Sequence, residues 1–117
     1  MKDSSKISSK GANRFEYGFS QKNLDAHWKG GESDHSDEYP GYTKEQYAWE
    51  AMYLIQSETT AIILGYKNFF GQIVRYDTSN NNWVKGHPKL GIATMFKPDA
   101  GMDYFLELQE VEEWEDQ

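Results

Sequence analysis

Cysteine is absent from these 117 residues, which excludes a disulfide scaffold, a thiolate metal site and a cysteine nucleophile. Histidine is scarce: His27, His35 and His87 are the only three. They lack the close helical or hairpin spacing of a zinc site, and no metal-dependent nuclease motif is present, so no metal and no cofactor are expected. No apolar run approaches the roughly 18 residues that cross a bilayer, and membrane insertion is not expected. The polar start Met1–Lys6 lacks the apolar segment of a signal peptide, so export is expected to depend on something outside this chain.

What the chain does have is aromatic mass and acid. Aromatic residues make up 15% of it, enough to build a core and leave a ring or two exposed. Its length suits one domain. The formal charge is -7, which at first sight opposes a nucleic-acid partner, but the charge is unevenly placed. Residues 60–104 hold five bases against three acids, whereas everything from residue 105 onward holds six acids and no base. Most of the acidity is therefore terminal, as a solvated end or as a mask for an anion-binding surface.

Local signals order the chain. Residues 1–13, rich in Ser, Lys and Gly, read as a linker, 14–108 as the folded domain and 109–117 as an acidic tail. Phe15, Tyr17 and Phe19 alternate like a short strand, and Ser20 offers an N-cap to a helix running to about Trp28, which Gly30 and Gly31 stop. Thr43 followed by Gln46 is a capping box, and Tyr47, Ala51, Leu54 and Ile55 repeat at helical spacing behind it. Trp28 and Trp49 are expected in the core. Beyond Thr59 the period becomes that of strands: 61–66, a turn at 67–71, 72–77, a turn at 80–82, Trp83-Val84 and 91–97, with His87 in a turn. Residues 102–108 suit either an edge strand or a terminal helix. The expected architecture is α+β, with N-terminal helices packed on a twisted antiparallel sheet of about four strands.

One strand pair carries chemistry. IVRYD and GIATMFKP set an arginine, a threonine and a lysine among apolar residues, side chains suited to phosphate on a rigid surface. With RFEYGF near the start and a histidine ahead of DEYPGYTKEQY, Arg75-Tyr76-Asp77 and Ile92 to Pro98 resemble, over roughly residues 14–106, the toxin domains at the C-termini of bacterial polymorphic toxins of the contact-dependent growth inhibition and LXG types. Those domains belong to the barnase, EndoU, colicin and RelE-like (BECR) ribonuclease group. In its pattern a leucine and a histidine precede a second histidine and an acidic-aromatic pair. Leu24 with His27, and His35 in His35-Ser36-Asp37-Glu38-Tyr39, stand in those places, eight residues apart with Gly30-Gly31 between, so both histidines remain candidates.

The resemblance implies a BECR, barnase-like fold and a metal-independent, tRNA-cleaving ribonuclease acting through its 2'-hydroxyl to leave a 2',3'-cyclic phosphate and a 5'-hydroxyl. Imidazole titrates near neutrality, so His27 or His35 would serve as general base or acid. Arg75 would meet developing phosphate charge. Thr94 would hold a phosphate oxygen or the 2'-hydroxyl, and Tyr104 would stack on a base or donate a proton. Lys97, Tyr76 and Lys85 would bind substrate. The implied partners are RNA, a cognate immunity protein and a larger delivery protein whose C-terminal part this is, secreted or surface-borne and acting in the target bacterium's cytosol. The competing expectation, from charge alone, is an acidic, non-catalytic binding protein such as an immunity protein or nucleic-acid mimic.

Overall fold

The structure, a computed structural model, describes residues 11–113. Residues 1–10 of the expected linker and 114–117 of the expected acidic tail lie outside them. Three helices and four strands follow in the order α1 (Gln21–Ala26), α2 (Lys44–Ile55), β1 (Ile63–Lys67), β2 (Ile73–Asp77), β3 (Asn82–His87), β4 (Gly91–Phe96) and α3 (Met102–Glu112), with a 3-10 turn at Ser36–Glu38. The chain is α+β, and the strands form an antiparallel meander in sequence order.

The helix starts follow from their caps. Ser20 Oγ accepts from the Asn23 amide at 3.1 Å. Thr43 makes both halves of its box with Gln46, which satisfies two of the amides that a helix start leaves orphaned. The face bearing Tyr47, Ala51, Leu54 and Ile55 is buried on one side of the sheet against Ile73, Val84, Ile92 and Met95. The other side is covered by α3, whose Phe105 packs with Tyr66, Val74, Tyr76 and Trp83. Residues 102–108 are therefore helical, and the sheet is clad on both faces rather than by N-terminal helices alone.

Three local expectations change. Phe15 to Phe19 is not a strand. Its amides go singly to unrelated partners, Phe15 to the Gln56 side chain and Glu16 to the Pro88 carbonyl, so no ladder forms. The third strand extends well past Val84 to His87, the last strand residue, where the ring accepts the Lys89 amide. Trp49 is 66% exposed while Trp28 is buried. Position 49 lies two residues after Tyr47 on α2, turned away from the sheet, whereas Trp28 follows α1 into the core.

Packing already involves the segment ahead of Arg14: Asn13 is buried and the Gly11 carbonyl accepts from Arg75. At the other end, Glu112 accepts from the Tyr66 hydroxyl at 2.7 Å and from Lys85 at 3.4 Å. Part of the acidic C-terminal stretch is thus fastened to the sheet.

Gly65 sits opposite Arg75 in the β1–β2 ladder, and a Cβ there would meet the guanidinium Nη1 at 2.3 Å and the Val74 carbonyl at 2.7 Å. The missing side chain is the space the arginine occupies. Gly65→Ala is expected to destabilise the domain by about 1–3 kcal/mol through overpacking, read as a lower urea midpoint with unchanged slope.

Burial raises the phenols of Tyr39, Tyr47 and Tyr66, with the Glu112 carboxylate adding to the effect at Tyr66. A group whose folded value is raised contributes stability that is complete below its unfolded value, here 10.0, and that is lost as pH climbs through the folded one. The part of the tyrosinate absorbance that belongs to these three phenols should accordingly rise together with loss of near-ultraviolet circular dichroism. Ionisation of all eight tyrosines before any unfolding would contradict these burials.

Candidate functional site

The sequence-derived site divides into a part that assembles and a part that does not. Arg75 belongs to the second. It is fully buried on the α2 side of the sheet, since it pairs with Val84, which pairs with Met95. Its donors reach three carbonyls: Nε to Ser57 at 2.9 Å, Nη1 to Val74 at 3.0 Å and Nη2 to Gly11 at 2.9 Å. Desolvation lowers its pKa to about 10. No fork remains for a phosphate, so Arg75 ties the end of α2, strand β2 and the N-terminal segment together. Thr94 faces the opposite side, and the expected pocket of arginine, threonine and imidazole does not exist. Tyr76 is likewise removed from substrate: it is 3% exposed, stacked on Phe105 under α3, with its hydroxyl on Asn81.

The histidines do meet. α1 is clamped to the outer strand by Asn23, whose Nδ2 donates to the carbonyls of Ile92 and Ala93, both at 2.9 Å. Those carbonyls lie at an irregularity where Lys85 pairs with Thr94 but Gly86 with Ile92, leaving Ala93 as an extra residue in β4. The clamp sets the end of α1, where His27 is the C-cap. A backbone bond from the His35 amide to the His27 carbonyl, 3.0 Å, brings the second ring alongside. The ring centroids are 5.7 Å apart, and His35 stacks on Phe96 at 5.4 Å.

Each imidazole is oriented through Nδ1. In His27 that nitrogen lies 2.8 Å from the Asn23 carbonyl, which can only accept, so Nδ1 carries the proton and Nε2 is the remaining nitrogen. In His35, Nδ1 is 2.7 Å from Glu38 Oε2, and the other carboxylate oxygen of Glu38 accepts the Lys97 amide at 2.6 Å. Glu38 thereby anchors the His35 ring to the end of β4. A carboxylate-held, half-buried imidazole is the arrangement of an oriented proton carrier.

Phe96 links His35 to other residues read from the sequence. Thr94 and Phe96 lie on the α3 side of β4, with Lys85 and Trp83 opposite them in β3. Tyr104 packs edge-on against both Trp83 and Phe96, and burial followed by the Glu112 charge raises its phenol. Lys85 spans Trp83 at 5.9 Å and Glu112. Lys97 is more committed than expected: its Nζ donates to the Asn80 carbonyl and Asn82 Oδ1, each at 2.8 Å, and sits over the Tyr39 ring. Desolvation lowers its pKa against the raising charges of Glu50 and Glu38.

No family model and no curated protein sequence matches this chain. The reading of the site therefore rests on its geometry. Asn23 and Glu38 escaped sequence reasoning, although both stood in register: Asn23 is four residues before His27 on one helical turn, and Glu38 is three after His35. Among the described residues no three His, Asp or Glu side chains converge as metal ligands, and no helix is long and apolar enough to cross a membrane.

Proposed function

We propose that this domain is a metal-independent ribonuclease of the BECR toxin type that cleaves tRNA by internal transphosphorylation. The observation that carries the reading is the pair of imidazoles 5.7 Å apart, each held through Nδ1, with His27 buried and His35 the more open of the two. In this scheme one ring takes the proton from the 2'-hydroxyl, whose oxygen attacks phosphorus. The other gives a proton to the departing 5'-oxygen, so the products are a 2',3'-cyclic phosphate and a 5'-hydroxyl. Phosphate charge falls to Thr94 and Lys85 in place of the buried Arg75, and Phe96 or Tyr104 offers a ring face to a base. A capped helix feeding a four-stranded antiparallel meander is compatible with a BECR-type fold. A delivering parent protein, a cognate immunity protein and action in a target bacterium's cytosol belong to the same proposal.

Incubating the purified chain with total tRNA in EDTA tests it. Fragments ending in cyclic phosphate are expected, and intact tRNA at high enzyme concentration would overturn the reading. The alternative, an acidic binding protein, draws on the exposed acids Asp103, Glu107 and Glu110 of α3. A binder should be harmless when expressed alone, whereas a ribonuclease toxin should arrest growth.

A further inference from the structure

The outward face of α2 holds a feature that the histidine site does not use. A hollow of about 670 Å³ is lined by Pro40, Tyr42, Glu45, Trp49 and Glu50 among others, and none of its lining residues carries a positive charge. Trp49 is 66% exposed and is held flat against Tyr53, itself 62% exposed, with ring centroids 5.3 Å apart and planes 13° apart. Leaving a tryptophan and a tyrosine this open on a helix forgoes the gain of burying two large side chains. Lone exposed apolar residues are ordinary, but a stacked pair beside a hollow has the anatomy of an interface anchor.

The charges say what would dock there. Glu45 makes no hydrogen bond or ion pair among the described residues. Glu50 accepts one bond, from the Tyr42 hydroxyl at 2.6 Å, and this bond together with burial pushes the Tyr42 phenol up to about 12. Residues 32–50 contain six acids and one base, Lys44, and Lys44 is already paired with Asp25. A polyphosphate would be repelled from this surface. A guanidinium meets every demand of it: a planar cation that stacks on an open indole and forks to carboxylates.

We propose that the hollow between the start of α2 and the Pro40–Tyr42 turn is a docking site for an arginine-bearing segment of a partner protein. The site is separate from the proposed RNA-cleaving chemistry and does not depend on it. It is close to that chemistry, however, because Tyr42 packs against Tyr39, whose ring carries the Lys97 ammonium.

Titrating the full chain with an end-blocked penta-arginine peptide, followed by tryptophan fluorescence and calorimetry, tests the inference. Saturable binding is expected, stronger than for penta-lysine, absent for penta-glutamate and weakened at high salt. Trp49→Ala and the pair Glu45→Gln, Glu50→Gln should each weaken binding about tenfold or more. A control with the same kind of charge loss elsewhere, Asp103→Asn with Glu107→Gln and Glu110→Gln on α3, should leave it within about twofold. If the α3 control weakens binding as much as the groove variants, or if Trp49→Ala has no effect, the attraction is diffuse and the docking site is refuted. Cleavage of tRNA should be unchanged in Trp49→Ala, so failure of this proposal and failure of the ribonuclease reading give different results.

Discussion

Arg75→Ala is expected to destabilise the domain by about 2–4 kcal/mol and to lower its melting temperature by on the order of 10 °C or more. The guanidinium satisfies the carbonyls of Ser57, Val74 and Gly11 from a fully buried position. Of these, the bond to Val74 is the most enclosed, and water can replace part of the other two, which limits the loss. Removing the charge also relieves a desolvation that lowers the group's pKa to about 10, so Arg75→Met, which keeps the aliphatic volume, should lose less than Arg75→Ala. Arg75→Lys should not restore the native melting temperature, because one ammonium cannot reach three carbonyls spread over three segments. Thermal and urea unfolding followed by circular dichroism measure all three. The decisive comparison is activity per folded molecule: a folded Arg75→Met protein that cleaves RNA normally would fit the scaffold role, while a folded but inactive one would return Arg75 to the chemistry. Above pH 10 this group and the buried phenols pull in opposite directions. Arg75 gains stability as its proton leaves, but three tyrosines lose it, so net destabilisation is the expected sign.

The second large effect concerns the imidazoles. His27→Ala and His35→Ala should each reduce tRNA cleavage per folded molecule by about 10²–10⁴-fold. His35 is half-buried and stacks on one face of Phe96, so its removal should change the unfolding midpoint little, whereas His27 is buried against Phe19 and His35 and its removal should also lower the midpoint. The double variant should be hardly worse than the poorer single one, because groups acting on one proton-transfer cycle are not additive. Glu38→Gln offers an intermediate case: its single amide oxygen can accept from His35 Nδ1 or from the Lys97 N–H but not from both, so the charge and one of the two anchoring bonds are lost. Cleavage that persists undiminished in both alanine variants would remove the imidazole pair from the mechanism.

How much of this was legible depends on the range over which each feature is encoded. α2 was readable from Thr43, Gln46 and the Tyr47, Ala51, Leu54, Ile55 repeat because capping and periodicity are local. The meander was readable from turn residues between alternating runs. The faces of the sheet were half legible: placing Ile73 with Arg75 and Val74 with Tyr76 followed from alternation alone. Which of those faces was open did not follow, because it depended on α3 closing over Tyr76 and on α2 with the N-terminal segment closing over Arg75. The convergence of His27 and His35 was hidden for a similar reason, since it requires Asn23 to bond the carbonyls of a strand some 70 residues away.

Taken by itself, the order of residues determined the starts of α1 and α2, the succession of β1 to β4, the absence of thiol chemistry and the presence of two histidines ahead of a capped helix. Tertiary structure alone decided that Arg75 is a scaffold cation, that Trp49 faces solvent and that His27 and His35 lie ring beside ring. The division has one cause. Hydrogen-bond caps and hydrophobic periods act within a few residues, whereas burial is a property of a surface and is assigned only when a distant segment arrives to cover it.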